Sequence, residues 1–305
     1  MPIKLIPDNT TIHFLGFKWP ALLLSIVAII FTVFLLNTRG LNFGIDFTGG
    51  IVLEVRTPET APLDTIRNLL RSEIEGDIAL QNIGSNRDVL IRLQAASKDA
   101  SQSETVAKVK ALLEQHISPD IEYRKVDYVG PQVGHELIQA GAMSLILAIA
   151  GMMIYIWMRF EWHFGVGAIM ALAHDAVVTL GFFSITGIEF NLASIAAILT
   201  VIGYSVNDSV VIYDRIRENL RKFKKMPLEE LLNLSINSTL SRTLLTAGST
   251  LVALLALVLF GGEVIRGFSL AVFFGIVVGT YSSIYISAPI LIFMNLRRGT
   301  GTVNA

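Results

Sequence analysis

The sequence contains no cysteine, and charged residues make up only 16% of its 305 residues. The absence of cysteine excludes disulfides and thiol chemistry, although it names no cellular compartment. An average soluble domain has roughly a quarter of its residues charged, so this low content argues against an ordinary soluble protein. The formal net charge is only −1, so we expect no general attraction to nucleic acid.

The chain also lacks the phosphate-binding pattern G-x-x-x-x-G-K-[ST]. No nucleophile–base pair and no metal-ligating cluster is evident in the sequence. We therefore expect no enzymatic activity, no cofactor and no metal. Any energy that the protein uses should come from an ion gradient or from a partner.

Hydrophobic residues make up 52% of the chain and are gathered into long blocks. Each block approaches or exceeds the ~20 residues that an α-helix needs to cross ~30 Å of hydrocarbon. The first block is too long for a cleaved signal and has no A-x-A exit, so it predicts a retained helix. The predicted spans are Trp19–Leu36, Leu137–Met158, Phe164–Ile185, Phe190–Tyr213, Leu244–Phe260 and Phe268–Leu296.

Positive charges are concentrated in alternate short loops, which predicts the orientation of the chain. The other short turns, Thr186–Glu189 and Gly261–Gly267, contain only Arg266 as a positive residue. By the positive-inside rule, both termini are cytoplasmic and residues 37–134 are outside. The stretch Arg215–Glu230 predicts an amphipathic helix on the membrane surface. The cytoplasmic positive residues are Arg159, His163, Arg215, Arg217, Arg221, Lys222, Lys224, Lys225, Arg297 and Arg298.

The long outside segment has the pattern of a small folded domain. Alternating and helical apolar periodicities predict the order βαββαβ, which is typical of a ferredoxin-like α+β sandwich. The chain thus divides into residues 1–36, 37–134 and 135–305: a first helix, the domain, and a five-helix bundle. The predicted elements are Ile51–Arg56, Leu63–Ile74, Ile78–Ile83, Val89–Leu93, Val106–Ile117 and Ile121–Val129.

Asp208 lies inside the fourth apolar span, where an ionised carboxylate costs ~2.5–3.5 kcal/mol or more. Arg242, at the mouth of the fifth span, is a candidate partner at a similar depth. Arginine does not deprotonate in proteins, so a proton on this pair would sit on Asp208 and release Arg242. The alternative is a fixed ion pair that only orders two helices. Ser205 and Asn207 accompany Asp208 in the stretch Gly203–Ser209, with Ser205 on the same helix face.

Asp175 and His174 lie midway along the third predicted span, near the expected centre of the bilayer. Adjacent helix residues point about 100° apart, which argues against a facing pair. Asp175 either bonds a serine or threonine of a neighbouring helix or relays protons. The serines of the last span, together with Gly275 and Gly279, form a small-residue face that close helix packing explains.

Two glycine-rich stretches connect the domain to the membrane spans. Gly44–Gly50 suits a tight turn, and Gly130–Gly134 fits either a hinge or an ordinary domain boundary. One helix, one outside domain and five helices make a 1+5 unit that several large transporters contain twice. A distinct partner chain is therefore expected to supply the other half.

Several motifs together resemble the SecF family of bacterial protein translocase subunits, which belongs to the resistance-nodulation-division (RND) superfamily. The fourth-span motif is the most specific of them, and the resemblance runs from about Trp19 to Leu296. The matching stretches are Gly44–Gly50 (GIDFTGG), Tyr128–Gly134 (YVGPQVG), Phe160–Trp162 (FEW), Ala173–Asp175 (AHD) and Gly203–Asn219 (GYSVNDSVVIYDRIREN).

This resemblance implies a six-span inner-membrane subunit that works with SecD. It further implies proton-driven assistance to precursor export through SecYEG after SecA, beside an insertase of the YidC type. Asp208 and Arg242 match the family's residues for proton movement, with Asp175, Asn207 and Ser205 as neighbouring candidates. The implied partners are those proteins, unfolded precursors and the lipid bilayer.

Two other functions fit parts of the pattern. An RND-type half-transporter for small lipophilic molecules would need a large substrate-binding domain, and residues 37–134 are too few for one. A scaffold that ties a translocon to an insertase without transport predicts that neutralising Asp208 is harmless.

Overall fold

The computed structural model describes residues 10–74, 76–83, 85–95, 102–294 and 296. The chain forms two compact units. The first comprises Met1–Asn42, Ser144–Ile188 and Ala193–Ala305, and the second Phe43–Met143 with Glu189–Leu192. Arg297 and Arg298, which contributed to the predicted orientation, lie outside the described residues.

The elements are numbered in chain order. The helices are α1 (Lys18–Thr38), α2 (Ile45–Thr48), α3 (Leu63–Glu73), α4 (Gln102–His116), α5 (Pro131–Arg159), α6 (Trp162–Thr186), α7 (Leu192–Lys222), α8 (Leu228–Phe260), α9 (Glu263–Ser282) and α10 (Ala288–Phe293). The strands are β1 (Gly50–Arg56), β2 (Gly76–Asn82), β3 (Asp88–Ala95) and β4 (Glu122–Val129). A 3₁₀ turn (Phe14–Phe17) precedes α1, and a π-helical turn (Ser283–Ser287) joins α9 to α10.

Six helical segments in the described residues are long and apolar enough to cross a membrane. They correspond to the six predicted spans, so the prediction of a polytopic helical protein is confirmed. The helix α5 exposes most of its apolar surface, whereas half of the most apolar window of α6 is buried. Glycine allows this burial, because a Cβ at Gly181 of α6 would overlap Thr32 of α1. The helix α6 therefore lies inside the bundle and α5 at its edge.

The predicted surface helix Arg215–Glu230 is wrong. Its residues belong instead to the end of α7 and the start of α8, which are separated by a short break before Pro227. These extensions pack together, since buried Asn219 donates a 2.9 Å hydrogen bond to Ser235. The charge pattern of the stretch was visible in the sequence, but its buried positions, Ile216 and Asn219, continue the face of α7.

The second unit contains a four-stranded sheet in the order β2-β3-β1-β4. All three strand pairs are antiparallel, with Ile51 of β1 opposite Leu93 and Tyr128. One face of β1 and β3 is buried together with Ile66 of α3 and Leu113 of α4. The strand residues of this face are Ile51, Leu53, Val55, Val89, Ile91 and Leu93. This βαββαβ topology confirms the predicted ferredoxin-like domain.

The glycine-rich stretch Gly44–Gly50 folds as the helical turn α2 followed by two glycines with positive φ. Gly49 has φ 69° and ψ 172°, a region that is essentially restricted to glycine. The backbone N–H of Gly44 donates to Phe190, and Asp46 accepts a 3.0 Å bond from the N–H of Leu192. The stretch is therefore more than a turn, because it binds the short segment Glu189–Leu192 within the same unit.

The second glycine-rich stretch, Gly130–Gly134, contains the start of α5 at Pro131. Proline is favoured at a first helical position, where its missing N–H would have no partner in the helix. A Cβ at Gly134 would lie 3.3 Å from the carbonyl oxygens of Asp46 and Phe47, so a small residue suits this position. The stretch thus combines a helix start with a close backbone approach.

Candidate functional site

The fourth membrane span, α7, places Asp208 inside the bundle, where the residue is 7% exposed. Its two carboxylate oxygens accept hydrogen bonds from different helices. Thr243 of α8 donates to one oxygen at 2.7 Å, and Ser283 of the π-helical turn donates to the other at 2.5 Å. Hydrogen bonds to an ionised carboxylate are about twice as strong as neutral ones. Asp208 therefore links three elements of the first unit.

Arg242 is the residue immediately before Thr243 and has an exposed side chain. It lines a cavity of about 20 Å³ together with Asp208, Asn207 and Tyr204. A cavity of that volume is large enough for about one water molecule. Asp208 and Arg242 thus share one small polar space, in which a single water could connect them.

No ion pair within 4 Å joins Asp208 to Arg242 in the part of the chain that the structure describes. The direct ion pair expected from the sequence is therefore not formed in this structure. Hydroxyl groups of Thr243 and Ser283 take the place of the guanidinium as donors. The arginine and the carboxylate line the same cavity without a direct ion pair.

A second buried carboxylate, Asp175 of α6, is fully shielded from solvent. Ser205 of α7 and Ser282 of α9 both donate to its Oδ2, at 2.6 Å and 2.7 Å. The expectation that Asp175 bonds a serine of a neighbouring helix agrees with this geometry. Asp175 thus joins three helices, as Asp208 does.

His174 and Asp175 do contact each other, contrary to the argument from their 100° separation. Nδ1 of His174 lies 2.9 Å from Oδ1 of Asp175, and both side chains are buried. The helical angle describes the directions of the Cβ atoms only. Rotation about the side-chain torsions therefore brings the polar ends of these two adjacent residues together.

Ser205 was expected on the face of Asp208, yet it donates to Asp175 instead. Three residues along a helix leave a rotation of about 60° between two side chains. That difference is enough for Ser205 to face α6 while Asp208 faces α8. The Asp208 cluster (Asp208, Thr243 and Ser283) and the Asp175 cluster (Asp175, Ser205 and Ser282) therefore both include residues of α7, and each carboxylate has its own donors.

The serines of the last span form hydrogen bonds in addition to allowing close helix packing. Ser282 donates to Asp175, Ser283 to Asp208, and Ser287 to the hydroxyl of Tyr213 at 2.5 Å. The small-residue explanation holds for the glycines, since a Cβ at Gly275 would overlap Val201 of α7. Ser282 and Ser283 could have been identified from the sequence by their depth in the last membrane span, because Asp175 and Asp208 lie inside neighbouring spans.

The π-helical turn Ser283–Ser287 begins at the serine that binds Asp208. Pro289 follows in the first turn of α10 and cannot donate a backbone hydrogen bond. The regular i→i−4 ladder is therefore interrupted at this point, which accommodates a wider turn. Such turns are frequent at functional sites.

The Asp208 cluster lies in a region that matches a known family. The family model for the C-terminal part of "Protein export membrane protein SecD/SecF" matches residues 108–297. The "SecD/SecF GG Motif" model matches residues 34–57, which contain the glycine-rich stretch described above.

Full-length relatives and solved structures agree with these matches. "Protein translocase subunit SecF" of Rickettsia bellii is 54% identical over 96% of this chain and 97% of its own length. The same subunit of Rickettsia prowazekii is 50% identical over 95% of this chain and 93% of its own.

The crystal structure of SecDF from Thermus thermophilus, described as a translocon-associated membrane protein, is 34% identical with a TM-score of 0.87. A SecDF structure in a super-membrane-facing form is 36% identical with a TM-score of 0.68. The matches cover 96% and 97% of this chain, but this chain spans only 40% of each solved SecDF chain. On the family models and the full-length relatives together, the chain belongs to the SecF protein translocase subunits of the SecD/SecF family.

Proposed function

We propose that this chain is the SecF half of a SecD–SecF complex that uses the proton motive force to assist protein export through SecYEG. In this proposal both termini are cytoplasmic, residues 37–134 are periplasmic, and the membrane is the bacterial inner membrane. Proton binding to Asp208 is the step that couples the gradient to helix movement.

The observation that carries this proposal is the environment of Asp208. Two hydroxyl groups bind the buried carboxylate of Asp208. A hydroxyl group can donate to an ionised carboxylate and can accept from a protonated one, so these partners suit both protonation states. The adjacent cavity, lined by Arg242 and Asn207, has room for one water beside the carboxylate. An ion pair locked by direct contact would have fitted the structural alternative better.

The proposed switch follows from charge balance. With Asp208 ionised, the positive charge of Arg242 favours closure of the small cavity between them. Protonation of Asp208 removes that attraction, and Arg242 keeps its charge. The relative packing of α7 and α8, which carry the two residues, then has two preferred states. Asp175 and Ser205 hold α7 against α6 and α9 so that the movement is confined to the α8 side.

The energy available from the gradient is sufficient for such a rearrangement. One proton that crosses ~100 mV releases ~2.3 kcal/mol. A free energy of that size changes the equilibrium constant between two states by roughly fiftyfold. The chain needs no nucleotide for this step.

SecD is the proposed partner because both solved SecDF chains are much longer than this chain, which covers 40% of each. The remaining part of such a chain would supply the second half of the bundle. SecYEG and SecA are the proposed neighbours in export, with a YidC-type insertase as a further one and unfolded precursors as the transported chains.

The experiment that tests the coupling step measures proton flux. SecD and this chain are reconstituted together in liposomes, and acidification of the lumen is followed after a membrane potential is imposed. We expect Asp208→Asn to abolish the flux of the complex. The matched control is Asp214→Asn, on the same helix, where the carboxylate is half exposed and paired with Arg159.

An equal flux in the Asp208→Asn complex would reject proton coupling at this residue and favour the scaffold. Loss of flux in the Asp214→Asn complex as well would mean that any charge change on α7 disturbs the protein.

A further inference from the structure

A second cavity, of about 500 Å³, lies in the first unit at the end of α5 and beside the last turns of α7. Six residues line it, and all of them are charged: Arg159, Asp214, Arg217, Glu218, Arg221 and Lys222. None of them belongs to the Asp208 or Asp175 cluster. The proposed proton switch therefore leaves this cavity without a role.

The charges in this cavity do not balance. Its two carboxylates are already paired, Asp214 with Arg159 at 2.8 Å and Glu218 with Arg215 at 2.6 Å. Within the described residues, Arg217, Arg221 and Lys222 have no carboxylate within 4 Å. Three uncompensated cations around one concave space favour a ligand with negative charge.

The cavity also lies at the ends of two apolar helix segments, where we expect the headgroups of a bilayer. The apolar part of α5 ends at Arg159, and the apolar part of α7 ends just before Asp214. Two tryptophans near this end are exposed, Trp157 by 68% and Trp162 by 56%. Tryptophan is enriched at membrane–water interfaces, where its apolar ring and polar N–H are both satisfied.

The apolar surface next to the cavity suits acyl chains. Met158, the residue before Arg159, is 84% exposed, and Ile154 one turn earlier is 57% exposed. The basic side chains of the cavity thus lie next to the end of an exposed apolar face of α5. A free anion such as phosphate would use the charges alone, whereas a phospholipid would use the charges and this face.

We propose that this cavity binds the phosphate headgroup of an anionic glycerophospholipid, with its acyl chains along the exposed face of α5. Arg217, Arg221 and Lys222 contact the phosphate, and Arg217 is held in place by its bond to the carbonyl of Arg159 at 3.4 Å. Basic pockets between membrane helices bind such headgroups by the same combination of charge and shape. The occupant is a lipid of the surrounding membrane, and its binding does not depend on Asp208.

The test uses the full chain purified in detergent and measures bound lipid by native mass spectrometry. Phosphatidylglycerol is titrated against phosphatidylcholine of the same acyl length. The variant Arg221→Gln/Lys222→Gln removes two exposed cations of the cavity. The charge-matched control Lys224→Gln/Lys225→Gln removes two lysines from the following loop that do not line the cavity.

We expect the cavity variant to lose roughly tenfold or more of its affinity for phosphatidylglycerol, while the control keeps the wild-type affinity. Equal losses in both variants would show diffuse attraction to the loop, and no loss in the cavity variant would show that the cavity is not used. Either result overturns the proposal.

Two further measurements complete the test. Glycerol phosphate without acyl chains is added as a competitor, and we expect it to displace the lipid only at a large excess. Displacement at equal concentration would identify an anion site in place of a lipid site and would also overturn the proposal. If the double variant does not fold, Arg221→Gln and Lys222→Gln are titrated singly, each with an expected partial loss.

Discussion

Ser283 donates a 2.5 Å hydrogen bond to Asp208 from the first position of a π-helical turn. The preceding residue, Ser282, donates to Asp175, a second buried carboxylate of the first unit. Two adjacent serines therefore contact both acidic clusters of the bundle. A change of geometry at this turn would be felt at both carboxylates, which makes the turn the structural link between them.

Ser283→Ala tests whether the donor at Asp208 matters for function more than for stability. Hydrogen bonds between membrane helices are worth on average ~0.6 kcal/mol, so we expect only a small fall in the melting temperature. We expect a clear reduction of gradient-driven export, because Asp208 keeps Thr243 as its single hydroxyl donor. Both quantities are measured on the purified complex and in membrane vesicles.

The matched control is Ser282→Ala, the same change one residue earlier. It removes a donor from Asp175 and leaves both donors of Asp208 in place. Equal export in the two variants would contradict a special role of the Ser283–Asp208 contact.

Gly275→Ala tests the close packing of α9 on α7. An added Cβ would overlap the side chain of Val201, so we expect a destabilisation of ~1–3 kcal/mol. Gly248→Ala is the control, because a Cβ there meets nothing within 4 Å. Alanine is the better helix former by up to ~1 kcal/mol, so the control should be neutral or stabilising. Thermal unfolding in detergent checks both, and equal melting temperatures would reject the packing argument.

Gly49→Ala tests the backbone of the glycine-rich stretch. Gly49 occupies a region that other residues enter only at a cost of ~1–3 kcal/mol. We expect faster proteolysis of the second unit in the full chain and weaker binding of the segment Glu189–Leu192. Gly130→Ala, at a position with open space and without positive φ, should leave the proteolysis rate unchanged. A Gly49→Ala protein as resistant as the wild type would show that the strain is relieved elsewhere.

Single cysteines test the predicted orientation, because the chain has no cysteine of its own. Asp120→Cys lies at an exposed position of the second unit, and Lys225→Cys at an exposed position between α7 and α8. In intact spheroplasts, a membrane-impermeant maleimide should label position 120 and not position 225. The reverse pattern would place both termini outside and reject the charge argument.

The fold could be predicted from the sequence wherever periodicity reports burial directly. The six apolar spans and the βαββαβ pattern are examples. Long apolar runs indicate membrane helices, and the spacing of apolar residues distinguishes strands from amphipathic helices. The prediction of a surface helix over Arg215–Glu230 was wrong because periodicity does not report its burial directly. Its charges are plain in the sequence, whereas the contact of Asn219 with Ser235 depends on a neighbouring helix.

The carboxylates of the candidate site could be predicted from the sequence, but their hydrogen-bond donors could not. A carboxylate inside an apolar span is conspicuous because burying its charge is costly. Which donor binds the carboxylate depends on the rotation of each helix about its axis. Ser205 and Asp208 point about 60° apart on the same helix, and Ser205 therefore binds Asp175 instead of Asp208. Side-chain torsions, which the sequence does not report, brought His174 to Asp175 and left Arg242 beside the cavity.

The most direct test of the account measures precursor export into inverted membrane vesicles, with and without a proton gradient. Vesicles contain either the wild-type chain or Asp208→Asn, at equal abundance of the complex. We predict that the Asp208→Asn vesicles lose the part of export that depends on the gradient and keep the part driven by SecA. Gradient-dependent export equal to the wild type would contradict the account and reduce Asp208 to a structural contact between helices.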